Sequence, residues 1–240
     1  MNELEFFEDT HTYWLNNKEL IGTTSLIKKF VPPFNARYWA ARKAHERNAK
    51  SFDTSLGYFG TYDLVTPEDI LREWDEIRDR ASLRGKFIHS YLEDVLQDIP
   101  RFDDDACLGG VKRYLDEAYY GYVIGCEMLL NDEDFAGTAD LVVVDKGRYI
   151  IRDWKTNRQF RRRCQYGNRM LAPLKKLHAT EYFVYTLQLN MYRYLIKPFY
   201  NVTKLEIVWF DHENNYQVIE LPIVEDYLML MLNAHKSKMK

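Results

Sequence analysis

Cysteine is scarce in this chain. Cys107, Cys126 and Cys164 are scattered, with no C-x-x-C spacing, so neither a disulfide framework nor a paired-cysteine metal site is expected, and the odd count suits free thiols in a reducing compartment. No hydrophobic run is long enough to span a bilayer. The start, Met1-Asn2-Glu3-Leu4-Glu5, is acidic and has no apolar h-region, so no secretory signal is expected and the location reads as cytoplasmic. There is no G-x-x-x-x-G-K-[ST] element, so no fused phosphate-loop motor is expected, and no internal repeat or low-complexity tract is evident. Excess positive charge is also missing. Lys and Arg total 33 against 36 Asp and Glu, a net charge of -3, so any affinity for nucleic acid must come from a local patch.

What is present suits a folded α/β protein. Hydrophobic residues make up 46% of 240, enough for one substantial core. Aromatics reach 15%, with 18 Tyr; that suits base stacking, but Tyr equally fills half-buried positions. The first stretch, 6–21, reads as a hairpin turning at Asn16-Asn17-Lys18. Residues 24–30 and 36–49 read as helices separated by Pro32-Pro33, and 51–66, with Gly57 and Gly60, as a loop. Thr66-Pro67-Glu68-Asp69 is a helix start, with Thr66 as cap, Pro67 at the first helical position and Asp69 as the capping-box acid. That helix is expected to reach about Leu96, and another to cover 109–120. Past Gly121 the period shortens to strands at 122–130, 141–144 and 149–154. An irregular basic stretch, 158–178, precedes an amphipathic helix at 180–196, strands at 205–210 and 216–221, and a closing helix at 223–236. The expected fold is α/β with a small mixed sheet. Residues 1–65 form an N-terminal hairpin and helical extension, 66–240 the core, and the whole one compact domain.

The chemistry is expected on the central hairpin. If Lys146-Gly147 is a two-residue turn, Val144 faces Tyr149, Val142 faces Ile151 and Asp140 faces Asp153. Opposed residues share a face about 5 Å apart, and Lys155, two positions on, projects from the same face. Two opposed carboxylates repel unless a positive group lies between them. A divalent metal is the natural occupant, with Lys155 steadying a phosphate or a metal-bound water. The alternative is a simple Asp–Lys salt bridge. Trp154 alternates away from the pair, so its carbonyl rather than its ring would reach a metal.

Gly137-Thr138-Ala139-Asp140 followed by Asp153-Trp154-Lys155-Thr156 resembles motifs II and III of the PD-(D/E)xK nuclease superfamily. The RecB-like exonuclease branch is the match within it. That branch has a G-x-x-x-H element upstream, which Gly85-Lys86-Phe87-Ile88-His89 fits, and a Q-x-x-x-Y element downstream, which Gln188 and Tyr192 fit. The resemblance covers about 84–196 and implies a restriction-endonuclease-like core holding one or two Mg²⁺ or Mn²⁺ ions. His89, Asp140, Asp153 and the Trp154 carbonyl are the implied metal ligands. Glu127, from the preceding strand, is implied near the metals, and Gln188 and Tyr192 are expected to touch substrate phosphate or fix the lysine. Glu93, one turn after His89, is a further ligand or a solvated glutamate. Some members carry an iron–sulfur cluster on four cysteines; with three cysteines here, none is expected.

The implied function is hydrolysis of DNA by a free-standing exonuclease of the kind found in phages, preferring ends and working beside recombination or replication proteins. A structure-selective endonuclease and a non-catalytic DNA-binding module are the alternatives; the retained acids and lysine count against the latter. Directly after the hairpin lie Arg158, Arg161, Arg162, Arg163 and Arg169, with Lys175 and Lys176. These are expected to grip the DNA backbone. Otherwise they solvate a loop or pair with the acidic run Asp132-Glu133-Asp134. A second acidic run, Asp103-Asp104-Asp105, reads as surface.

Overall fold

Two tight turns set the two hairpins on which the sheet is built. Asn16 and Asn17 take positive φ, 51° and 65°, between β2 (Thr12–Leu15) and β3 (Lys18–Gly22). Lys146 and Gly147 do the same, at 48° and 76°, between β5 (Phe135–Asp145) and β6 (Arg148–Lys155). Two consecutive left-handed residues give a turn whose twist matches that of antiparallel strands. The computed structural model describes residues 4–53, 64–101, 103, 105–164 and 167–237, with backbone alone at 50–53. Most of the expected 51–66 loop, including Gly57 and Gly60, lies outside the described residues, as does Asp104.

The fold is α/β, with an eight-stranded mixed sheet rather than a small one. β1 (Leu4–Phe7) extends the first hairpin, β4 (Tyr122–Asn131) pairs with β5, and β7 (Val202–Phe210) and β8 (Tyr216–Leu221) close the far side. The order is β1-β2-β3-β5-β6-β7-β8, with β4 also on β5. β3 joins β5 in parallel through Ile21–Phe135 and Gly22–Ala136, a pairing across more than a hundred residues that no local pattern announces. β6 and β7 are also parallel, so a crossover must link them; helix α5 (Glu181–Ile196) supplies it. The remaining helices are α1 (Thr23–Lys28), α2 (Ala36–Asp53), α3 (Pro67–Leu96), α4 (Gly109–Glu117) and α6 (Glu225–Ser237).

Two compact units divide the chain: residues 1–32 with 85–240, and residues 33–84. The boundary does not coincide with the one expected at residue 65. The N-terminal hairpin joins the larger unit because β3 pairs with β5, while residues 66–84 go with the smaller. In the smaller unit, Ala40 and Ala44 of α2 bury against Ile70, and Arg47 clasps Glu73 at 2.7 and 3.0 Å. The α3 start is the expected capping box: Asp69 N–H donates to Thr66 Oγ1 at 3.1 Å, and Thr66 N–H to Asp69 Oδ2 at 3.0 Å.

In the larger unit, strand alternation divides the core between the faces of the sheet. Val142, Ile151, Leu205 and Ile207 pack with Leu187, Met191 and Leu195 of α5. Leu141, Val143, Ile150 and Val208 pack with Ile88 and Leu92 of α3 and Val111 and Tyr114 of α4. On that second face lies a buried ion pair, Arg152 Nε to Glu206 Oε2 at 2.6 Å, both residues 1% exposed. Arg152 also donates to Tyr120 O at 2.7 Å, and Lys204 meets Glu206 Oε1 at 2.7 Å.

Removing one partner of such a pair leaves a buried charge without compensation and costs roughly 3–5 kcal/mol, whereas replacing both by apolar groups costs far less. Glu206→Leu is therefore expected to lower unfolding stability by about 3 kcal/mol in urea titration. Arg152→Met with Glu206→Leu should lose less than the single variant; a double variant at least as unstable would contradict this.

Candidate active site

The site forms where β5 and β6 stop pairing. Val144–Tyr149 and Val142–Ile151 pair as the turn predicts, and the ladder ends at Leu141–Arg152. Asp140 and Asp153, expected as the next opposed residues, fall just past this last pair. Asp140 instead turns its carboxylate into the gap, where Oδ2 accepts from Trp154 N–H at 2.7 Å. β6 stays straight here because its other edge remains paired to β7 as far as Lys155–Trp209. Strand alternation then sends Asp153 and Lys155 to the α5 side and Trp154 into the opposite core.

Glu127 approaches Asp140 from β4. Cys126 pairs with Leu141 and Met128 with Ala139, which sets Glu127 opposite Asp140. Its φ is 44°, in the left-handed region, in the middle of a strand. That conformation costs a non-glycine residue on the order of 1 kcal/mol and is found mostly where function holds it. His89 reaches in from α3. Its Nδ1 lies 3.6 Å from Asp140 Oδ2 and 4.0 Å from Glu127 Oε1, and its Nε2 lies 3.2 Å from the Trp154 carbonyl oxygen. One donor atom each from His89, Glu127 and Asp140 falls within 4.8 Å of the others. Neighbouring ligands about 2.1 Å from one small cation stand roughly 3 Å apart, so these spacings suit an ion shared by His89 Nδ1, Glu127 and Asp140. The Trp154 carbonyl, expected as a ligand, lies instead at the far ring nitrogen, where it is placed to accept from Nε2–H and hold Nδ1 toward the carboxylates.

Asp153 is 1% exposed. Its Oδ2 meets the Lys155 ammonium, and its Oδ1 has no hydrogen-bond partner among the described residues. Lys155 also sits over the Tyr185 ring, 4.9 Å from the centroid. Burial and the nearby Asp140 push the Asp153 carboxyl up to about 6, against the pull of Lys155. Burial raises Asp140 too, with His89 and Lys155 offsetting part of it. For His89, burial favours the neutral ring, but Asp140 and Glu127 outweigh it and hold the imidazole above its ordinary value. Lys155 is likewise held charged by Asp153 and Asp140 despite its burial. The cluster carries more negative charge than its two bases neutralise comfortably, which is what a site for a divalent cation requires.

Helix α5 forms one wall. Gln188 Nε2 donates to the Tyr192 hydroxyl at 2.7 Å, and both residues line the cleft with the carboxylates, as does Glu93. Tyr192 is nearly buried because it lies on Gly137. A Cβ on that glycine would come within 2.6 Å of Tyr192 Cε1 and 2.8 Å of Thr23 Oγ1, so the first glycine of the Gly-Thr-Ala-Asp stretch is needed for this close approach. The cleft encloses about 1040 Å³.

Three site features were not foreseen. Tyr185 sits one turn before Gln188 on α5, so helical spacing contained the signal. Thr138 belongs to the quoted Gly-Thr-Ala-Asp motif, but its hydrogen bond to Tyr13 at 3.1 Å, and the hairpin residues around Tyr13, depend on contacts over a hundred residues apart and carried no signal. Arg158, Arg161, Arg162, Arg163 and Arg169 are exposed and do not line the cleft. Arg162 lies 5.1 Å from the Tyr182 ring centroid, and Arg169 donates to Lys176 O at 3.0 Å. Asp134 pairs with Lys18 and Lys236, at 3.2 and 3.5 Å, rather than with these arginines.

Because the folded protein holds the Asp153 proton up to about 6, against 3.8 ordinarily, this group stabilises the fold fully only below about pH 4. Its contribution is lost as the pH rises through 6. Metal-free Asp153→Asn should therefore gain stability relative to the parent between pH 4 and 7, by on the order of 2 kcal/mol. Thermal melts in chelator at both pH values check this; a variant falling behind the parent at pH 7 would overturn it.

No known family model and no curated protein matches the sequence. Among solved structures, the crystal structure of SSO0001 is similar over 89% of this chain and 73% of that one, at 17% identity and a TM-score of 0.36, a likeness too slight to establish a shared fold.

Proposed function

We propose that this chain is a metal-dependent nuclease with a PD-(D/E)xK core of the RecB-like branch, hydrolysing DNA phosphodiester bonds. The observation that carries this reading is the meeting of His89, Glu127, Asp140, Asp153 and Lys155 in one cleft at the splayed end of the β5–β6 hairpin. The motif residues lie far apart in sequence, and a chance set of matches has no reason to converge.

The donor set fits Mg²⁺ or Mn²⁺: hard carboxylate oxygens with one imidazole, and a buried Asp153 oxygen in want of a partner. Asp140, Asp153, His89 and Glu127 would hold it, with the Trp154 carbonyl fixing the His89 ring through Nε2. Bound there, such an ion polarises the phosphate and lowers the pKa of its water. Lys155, clamped between Asp153 and the Tyr185 ring, presents a fixed positive charge. That charge orients the attacking water and offsets the negative charge developing on the phosphate. The Gln188 side chain and the Tyr192 hydroxyl face the same cleft and are placed to contact a substrate phosphate. The exposed arginines after β6 grip the backbone on either side of the cut. A preference for DNA ends follows from the RecB-like motifs.

EDTA is expected to abolish cleavage, and Mg²⁺ or Mn²⁺ to restore it. Asp153→Ala, Asp140→Asn and Lys155→Ala should each lower turnover roughly 10²-fold or more with the fold intact by circular dichroism. Full activity in excess chelator would defeat the metal reading; near-parental turnover in a variant would remove that residue from it. Linear DNA should be degraded faster than an intact circle of the same sequence, and equal rates would favour an endonuclease.

The arginines make a separate prediction. Replacing Arg161, Arg162 and Arg163 by Ala should flatten the salt dependence of DNA binding by about 0.7–0.9 log units per lost phosphate contact, with turnover changed less. An unchanged slope would make the loop a solvated surface.

A further inference from the structure

The N-terminal hairpin adds no residue to the His89–Glu127–Asp140 group, yet it walls the cleft. Phe6, His11 and Tyr13 line the same cavity as His89, Asp140 and Asp153. Phe6 and Tyr13 are paired across β1 and β2, so their rings share a face; they stack with centroids 4.7 Å apart and planes 29° from parallel. His11 stands edge-on to Phe6, at 5.2 Å and 86°. The innermost ring is anchored: Tyr13 is 4% exposed, and its hydroxyl is hydrogen-bonded to that of Thr138, two residues before Asp140, at 3.1 Å. The outer rings are open, Phe6 half-buried and His11 exposed. A rigid aromatic step thus faces a cleft otherwise lined largely by charged and hydroxyl groups, and it is tied to the strand that carries Asp140.

We infer that Phe6 presents a stacking face for an unpaired nucleobase, with His11, perpendicular to it, bounding that base at its edge, so that the strand delivered to the carboxylates is single-stranded at the point of cleavage. The inference rests on the nuclease reading. Inside a duplex both faces of every base are covered by its neighbours, so a protein ring can stack only on an unpaired or terminal base. Every base offers a π-face, so such a platform tolerates any sequence, as a degradative enzyme needs. The platform also accounts for a hairpin that closes nothing in the carboxylate cluster but ends beside it.

The test is a binding cycle on the full chain. Labelled single-stranded oligodeoxynucleotides, natural or with abasic residues at the 5′ end, the 3′ end or both, are titrated by anisotropy in Ca²⁺, with a blunt duplex as competitor. Abasic residues at one end should weaken parental binding by about fivefold to a hundredfold, and the duplex should compete poorly. Phe6→Leu with His11→Asn keeps the hairpin packing and the left-handed backbone at His11 (φ 52°), which asparagine adopts readily. This variant should bind natural and abasic strands alike, at the parent's abasic level. His11→Asn alone, at an exposed position, should lose part of the discrimination and guards against misfolding of the double variant.

A parent indifferent to abasic residues, a double variant that still discriminates, a duplex that competes equally, or no single-strand binding at all would each overturn the platform. Cleavage in Mg²⁺ is scored separately. A parent that cuts but ignores abasic ends remains a nuclease without this wall. One that discriminates but does not cut keeps the wall and loses the nuclease reading.

Discussion

The site turns on holding Asp140 and Asp153 close together out of water. Carboxylates so placed repel, and burial makes the repulsion worse because little solvent screens it. The neighbouring groups either answer that charge or force it into place. Lys155 lies against Asp153, His89 turns toward Asp140 and Glu127, and the Trp154 amide gives Asp140 a hydrogen bond that the β5–β6 ladder would otherwise have used. The compensation is incomplete, as the raised Asp153 carboxyl records.

Such a cluster needs a scaffold stiffer than the forces within it. The sheet provides this because β6 lies inside it, paired to β5 on one edge and to β7 on the other. The splay at Asp140 is therefore confined to one strand. The 85–96 part of α3 and helix α5 are locked to the sheet by apolar packing of Ile88 and Leu92, and of Leu187 and Met191. His89 thus comes from one helix and Gln188 and Tyr192 from another without any of them depending on a loop. The backbone at Glu127 shows the same economy: an unfavourable φ is tolerated because the ladder on both sides of it, at Cys126 and Met128, is intact.

The buried Arg152–Glu206 pair is the counterpart on the opposite face of β6. Arg152 and Asp153 are adjacent in sequence, and alternation sends one charge to each face. The arginine meets Glu206 in the neighbouring strand through Nε and the Tyr120 carbonyl through Nη1, with the Tyr120 ring 4.1 Å from its guanidinium carbon. Asp153 has a lysine on one oxygen and, on the other, no hydrogen-bond partner among the described residues although it is buried.

How much of this was legible in the sequence follows from the range of the interactions. The Lys146-Gly147 turn and the alternation beside it determined the pairs Val144–Tyr149 and Val142–Ile151, and thereby the common face of Asp153 and Lys155. Thr66 and Asp69 determined where α3 begins, and a helix once begun carries His89 at its predictable phase. These are local effects, set by turn geometry, side-chain period and capping. Only the tertiary structure decided that the ladder stops at Leu141, because the Asp140 carboxylate competes for the Trp154 amide in three dimensions. It alone decided that β3 joins β5, which brings Phe6, His11 and Tyr13 to the cleft, and that Gly137 must be bare to admit Tyr192. Those outcomes depend on contacts between residues tens to over a hundred positions apart, and a side chain's neighbours at that distance are set by packing rather than by any pattern the chain displays along its length.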